Sequence, residues 1–244
     1  MEIKTLRKIM LSLLMTVSCF CFAQNQSVEH ILSKSQMFLQ DKIEMHCSMN
    51  YNLYPTLKSK DVIENYDGLV LKNEDNYFIK INNTIFLNKL HTNKFIKLNT
   101  DQKLIQYTVD KNTKSNNQSL FDQIKVLTDL YKNHDLTSEG NFWVCTLSPN
   151  TISQLPYSKV QLFVNKDTNL LSKQVLYFSS QMPYKEKDGT NHLGNPRLEI
   201  LISDYKFALT QKEKELTLLS HYIIDNESDI RPSAAYKTFK IIQD

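Results

Sequence analysis

Glycine occurs only 4 times in 244 residues, too few for the glycine-rich loops that cradle phosphates, so Walker-type and dinucleotide-binding chemistry is excluded. Paired zinc spacings are missing as well. No C-x2-C or H-x3-5-H occurs, and the 6 histidines, at 30, 46, 91, 134, 192 and 221, stand singly. Neither G-x-S-x-G nor H-E-x-x-H is present. Acidic pairs such as Glu74-Asp75 and Glu186/Asp188 sit beside lysines in turn-like stretches, where solvated charge is the ordinary explanation. No metal or cofactor is expected and the chain reads as a non-enzyme, with an exported hydrolase the least supported alternative.

What is present begins with MEIKTLRKIMLSLLMTVSCFCFAQ. Lys4, Arg7 and Lys8 precede an apolar run from Ile9 to Val17, and small residues lead to Ala23. That order predicts a secretory signal over residues 1–23, cut after Ala23. A lipid anchor at Cys19 is the lesser alternative, because Thr16 stands where such sites carry leucine. No later apolar run approaches the roughly 20 residues that a membrane-spanning helix needs. Losing Lys4, Arg7 and Lys8 from 29 basic residues and Glu2 from 26 acidic ones leaves 26 against 25. Near-neutral charge disfavours nucleic acid and anionic membrane as dedicated partners.

Residues 24–244 read as a single domain, since neither a repeat nor a composition shift divides them. Val28, Ile31, Leu32, Ser35, Phe38 and Leu39 lie at helical spacing, with Ser27 as N-cap and Glu29 in the first turn. A meander of short alternating strands follows from Val62 to Val109. The polar stretch 110–118 reads as a loop, and SLFDQIKVLTDLYKN as a second amphipathic helix with Ser119 and Asp122 as its capping box. Further strands are predicted over 141–147, 159–165, 170–179, 197–209, 215–225 and 235–242. A hairpin turn falls at 166–169, and a long exposed loop at 181–196.

The stretch EMHCSMNYNLYP places His46 beside Cys47. Alternation with period two puts Met45, Cys47, Met49, Tyr51 and Leu53 on an apolar face and His46 on the polar one, toward solvent. A catalytic Cys-His pair is thereby disfavoured. Cys47 and Cys145 remain after signal removal, and an even pair in an oxidising compartment predicts one disulfide. Closing ~100 residues would contribute about 4–5 kcal/mol in the chain-entropy picture. Two reduced buried thiols are the alternative.

The order of elements, an export signal, a helix, a strand, a meander, a second helix and more strands, resembles the periplasmic lipoprotein carriers of the LolA-like family. Asp67 to Lys80, Thr100 to Tyr107, and Thr146-Leu147-Ser148-Pro149 followed by KVQLFVNKDTNLLSKQVLYFS are the local echoes. The resemblance implies an α+β, mostly antiparallel fold, an unclosed half-barrel whose helices cover the concave face. It also implies a periplasmic protein that binds a lipid or acylated protein in an apolar cavity, while the Ala23-Gln24 junction and the low-glycine, Asn/Lys-rich composition point to a Gram-negative bacterium. Met45, Met49, Tyr51, Leu53 and Trp143 are then the cavity candidates, with a side-chain-filled core as the alternative reading. The other functional reading is a structural or assembly subunit with a protein partner in the envelope. One departure stands out: such carriers hold the helical lid by an arginine in an early strand, whereas here the only arginines after the signal are Arg197 and Arg231. Gly68 is expected within a strand, although Asp67-Gly68 also fits a two-residue hairpin turn.

Overall fold

The computed structural model describes residues 26–109, 123–151, 154–186, 188–226 and 229–243. The expected export signal, Cys19, the polar loop 110–118 and the Ser119/Asp122 capping box lie outside these residues. Helix α1, Val28–Gln40, starts where the capping chemistry places it: Ser27 Oγ accepts from the His30 N–H at 3.2 Å. It buries Val28, Ile31, Leu32, Ser35 and Leu39, one stripe at helical spacing.

Five antiparallel hairpin steps follow. Strands β1 (Glu44–Tyr54), β2 (Glu64–Asn73), β3 (Asn76–Ile81), β4 (Thr84–Lys89), β5 (Lys94–Asn99) and β6 (Leu104–Val109) each pair with the next. Their turns need left-handed residues, and with glycine scarce Asn82 (φ 49°) and Asn93 (φ 50°) take that role. Asparagine tolerates this region because its short amide bonds locally. Gly68 lies inside β2, so the hairpin alternative does not hold.

Helix α2 (Gln123–Leu130) leads into β7 (Asn133–Glu139), β8 (Phe142–Ser148), β9 (Tyr157–Asn165) and β10 (Leu171–Phe178). At the expected 166–169 turn, Asn165 Oδ1 accepts from the N–H groups of Asp167 and Thr168, both at 3.0 Å. The segment expected as a long loop carries a short hairpin, β11 (Met182–Lys185) with β12 (Asn191–Gly194). Strand β13 (Arg197–Lys206) then enters the sheet between β1 and β10.

The C-terminal portion departs from expectation. Instead of a strand over 215–225 it forms α3 (Gln211–Leu216), α4 (Leu219–Tyr222) and the small ladder of β14 (Ile223–Asp225) with β15 (Ile230–Pro232). A capping box starts α3: Thr210 accepts from the Glu213 N–H, and Glu213 returns the bond to the Thr210 N–H. Strand β16 (Lys240–Gln243) pairs in parallel with β6. The main sheet thus runs β16-β6-β5-β4-β3-β2-β1-β13-β10-β9-β8-β7. Its twelve strands do not close, so the expected half-barrel is what the chain adopts, with α1 on its concave face.

The sheet is covered on opposite faces at its two ends. Beneath α1, one core joins Leu32, Leu39, Met45, Cys47, Val70 and Leu162. A second core on the convex side joins Leu71, Phe78, Leu87, Ile96 and Ile105 to Leu209, Tyr222 and Ile223 of the C-terminal portion. Adjacent residues such as Val70 and Leu71 fall in different cores because strand neighbours point to opposite faces. His46 is affected by the same cover. It does not face open solvent: its Nδ1 lies 2.7 Å from Glu213 Oε1 in α3, and its side chain is only 14% exposed.

Candidate ligand-binding site on the concave face

Helix α1 crosses the concave face obliquely, and both of its ends are tied. At the N-terminal end Glu29 bonds to His134 Nδ1 of β7, while His134 Nε2 lies 2.6 Å from the Tyr131 carbonyl. Both ring nitrogens thus face an acceptor. At the C-terminal end Lys72 Nζ of β2 donates to the carbonyls of Leu39 (3.3 Å) and Gln40 (2.8 Å). A cation there meets the orphan carbonyls and the negative end of the helix dipole. Lys72 thereby does for α1 what the resemblance assigned to an arginine.

The His134 hydrogen bond comes first among the causes that hold the Glu29 carboxyl down from its ordinary 4.5 to about 2. A carboxyl lowered in the folded state contributes stability that is complete above the unfolded value and is lost as pH falls through the folded one. Glu29 is 58% exposed, so solvent screening holds this contribution to about 0.5–1 kcal/mol. We expect Glu29→Gln to lower urea stability by that amount at pH 7, with the gap to wild type closing between pH 4.5 and 2. A gap that stayed constant with pH would show that the pair is not the source.

Of the five residues nominated from the sequence, Met45 and Met49 belong to the core with α1, Tyr51 and Trp143 pack against it, and Leu53 lies half-buried beyond it. Met45 and Met49 are buried, at 0% and 5% exposure, in the core with α1. That half of the cavity is filled by side chains. Trp143, half-buried in β8, lies toward the far edge with Lys166 Nζ 4.9 Å above its ring. Tyr51, packed against that core, and Leu53 continue the same face of β1 into a corner of half-buried residues.

Strand register defines that corner. Residues directly paired across a ladder share a face, so Leu198, Leu53, Tyr51 and Tyr66 continue into Ile81, Ile79 and Phe86. Tyr66 is 38% exposed and the others are half-buried. Gly68 shapes the floor. A Cβ at this position would stand 2.8 Å from Tyr51 Cε2, so the tyrosine ring lies directly on the glycine. The Tyr51 hydroxyl donates to the Met49 sulfur at 3.1 Å, and burial pushes its pKa up to about 12. The wall it forms is neutral and apolar at physiological pH. Ile79, Ile81, Phe86, Tyr66 and Leu198 were not nominated from the sequence, although the alternation of their strands carried the information.

The expected disulfide is not formed: Cys47 and Cys145 are both free and buried. Four ladder steps, by way of β13, β10 and β9, separate their strands, roughly 19 Å along the sheet. A disulfide needs Cα atoms within about 7 Å. Burial pushes both thiols up to about 12, so neither is poised as a nucleophile. Among the described residues no group of three or more His, Cys, Asp or Glu side chains could hold a metal ion. No helix among them is long and apolar enough to cross a membrane.

No protein-family model and no curated protein matches the chain. Solved structures do align with it at low similarity. A DUF1329 family protein from Desulfovibrio piger is 13% identical, with 78% of this chain and 97% of that one covered, at a TM-score of 0.37. A LolA superfamily protein from Nitrosomonas europaea is 16% identical, with 77% and 96% covered, at 0.32. The Mycobacterium tuberculosis lipoprotein LppX is 8% identical, with 75% and 97% covered, at 0.34. Likenesses this distant carry no functional argument, and the half-barrel description rests on the ladder itself.

Proposed function

We propose that the protein is a non-catalytic, exported carrier that holds the acyl chain of a lipid or acylated protein on the open corner of its concave face. The observation that supports this is the continuous apolar surface of Tyr51, Leu53, Ile79, Ile81, Phe86 and Leu198, which α1 leaves half-exposed. Apolar surface inside a curved sheet gains most from an apolar occupant, about 25 cal/mol for each Å² removed from water. The floor is adaptable, since Met49 beneath Tyr51 can shift to suit irregular chains. The export signal expected over residues 1–23 supports a periplasmic location for this carrier.

The test is direct. Native protein extracted with organic solvent should yield acyl chains, identified by mass spectrometry, in near-stoichiometric amount. Repeated extraction that returned no acyl chain would sink the carrier reading.

A second reading, an envelope assembly subunit, is favoured by one separate feature. Leu57, Val62 and Ile63 in the β1–β2 connection and Leu193 in the β11–β12 hairpin are all exposed, Leu193 by 66%. In-cell crosslinking through this rim distinguishes the two: a stable protein adduct supports the assembly role, and recovery of free monomer alone counts against it.

A further inference from the structure

Beyond Phe86 the concave face changes character. Thr84, Lys97, Asn99, Gln102, Leu104 and Gln106 line a pocket of about 300 Å³ on β4, β5 and β6. Register joins it to the apolar corner without a gap. Lys97 is the direct cross-strand neighbour of Phe86, and Thr84 is that of Ile81. Among the described residues, neither the Lys97 ammonium nor the side chains of Thr84 and Gln106 are engaged by another protein group.

The charged side chain that lines this pocket is the cation Lys97. No carboxylate lines it. The acid in the adjoining β5–β6 turn, Asp101, already accepts from Asn83 Nδ2 at 2.8 Å. A second cation comes from the C-terminal portion: Lys240 of β16 is the register partner of Leu104 and shares its face. The pocket therefore offers the Lys97 ammonium, amide N–H groups and a hydroxyl, with Lys240 on the neighbouring strand, the kinds of donor that a carboxylate or phosphate requires.

We infer that this pocket is the head-group site for an anionic amphiphile, a carboxylate or phosphate ester whose chain lies along Phe86, Ile79 and Ile81 toward Tyr51. The inference rests on the acyl-carrier reading and deepens it by assigning the polar end of the ligand. Size agrees with the division of labour. At about 300 Å³ the pocket is at the small end of ligand sites, which run from roughly 300 to 1,000 Å³. It takes a head group, and the chain must lie outside it on the apolar strip. Lys97 reaches the head group from a rigid strand, with Phe86 beside it to fix where the chain begins. The parallel strand β16 gains a role here too, since it delivers Lys240 to the rim of a site formed by residues more than a hundred positions earlier.

The test uses purified, delipidated protein and three probes titrated by calorimetry below micellar concentration: lysophosphatidylglycerol, lysophosphatidylcholine of the same chain length, and inorganic phosphate. Lysophosphatidylglycerol should bind about tenfold more tightly than the zwitterionic lipid, one charge-assisted contact being of that size. Lys97→Gln should remove that preference, and Lys97→Glu should reverse it. Lys97 is exposed and unpaired among the described residues, so both variants should fold as the parent does. Equal affinity for the two lipids, unchanged by Lys97→Gln, would overturn the head-group assignment and leave the acyl carrier standing. Phosphate bound as tightly as lysophosphatidylglycerol would make this a free-anion site and overturn the amphiphile. Failure of both lipids to bind would remove the carrier reading itself.

Discussion

Replacing Tyr222 with alanine should lower stability by about 3–5 kcal/mol, the cost of emptying a fully buried aromatic site. Tyr222 is 0% exposed and belongs to the core on the convex side of the sheet, with Phe78, Ile105 and Tyr107. Its hydroxyl donates to the Leu216 carbonyl at 2.9 Å, and its ring lies 5.2 Å from that of Tyr236. Truncation removes the ring contacts and leaves that carbonyl without its donor. Leu193→Ala, on the exposed hairpin, supplies the contrast and should stay within about 0.5 kcal/mol of wild type. Urea unfolding followed by circular dichroism reads both variants. A loss below 1 kcal/mol at Tyr222 would mean that the C-terminal portion only rests on the sheet. The large loss, in a single transition, would mean that it folds as part of the same cooperative unit.

That second core explains where sequence reading stopped short. The alternation of Met45, Cys47 and Met49 reports one buried face, and in β1 that is what the chain builds. Strands β2 to β4 carry a different pattern, the unbroken runs Leu69-Val70-Leu71, Tyr77-Phe78-Ile79 and Ile85-Phe86-Leu87. Continuous apolar runs belong to strands with apolar partners on both faces, and they foretold a cover over the convex side. Its identity was legible in part. Thr210 and Glu213 have capping-box spacing, and Leu216, Leu219 and Tyr222 recur every third residue, a helical period in a segment whose β-branched and aromatic content suggests strand. Strand β7, Asn-His-Asp-Leu-Thr-Ser-Glu, is polar because it is an edge strand, so periodicity had little to detect. His46 was placed on the correct face. The error lay in taking that face to be solvent, because what covers it comes from a helix 167 residues away in sequence.

The candidate site divides along the same line. Tyr51 and Leu53 follow from local alternation, whereas the open corner also needs strands β2 to β4 and the oblique path of α1. That path is fixed by Glu29–His134 at one end and by Lys72 at the other, pairings that no local pattern reveals. The disulfide failed for a related reason. Cysteine parity reports how many partners exist, while the order in which strands join the sheet decides whether they meet.

Gly68→Val should close the open corner from below. An added Cβ would stand 2.8 Å from Tyr51 Cε2, 3.2 Å from the Lys80 carbonyl oxygen and 3.3 Å from Met49 Cβ. The ring is the most movable of the three, so it must lift into the space that the acyl chain uses. Overpacking of this kind costs about 1–3 kcal/mol of stability. Acyl binding should weaken at least about tenfold, the equivalent of 1.4 kcal/mol of lost contact. The two effects separate in a double-variant cycle. Adding Tyr51→Ala to Gly68→Val removes the ring that clashes, so the pair should be more stable than the sum of the singles by about 0.5–3 kcal/mol, the range for residues in contact. Urea midpoints measure the coupling, and titration with lysophosphatidylcholine measures the binding. Additive stabilities would show that Tyr51 does not rest on Gly68. Undiminished lipid binding by a folded Gly68→Val protein would place the chain elsewhere on the concave face.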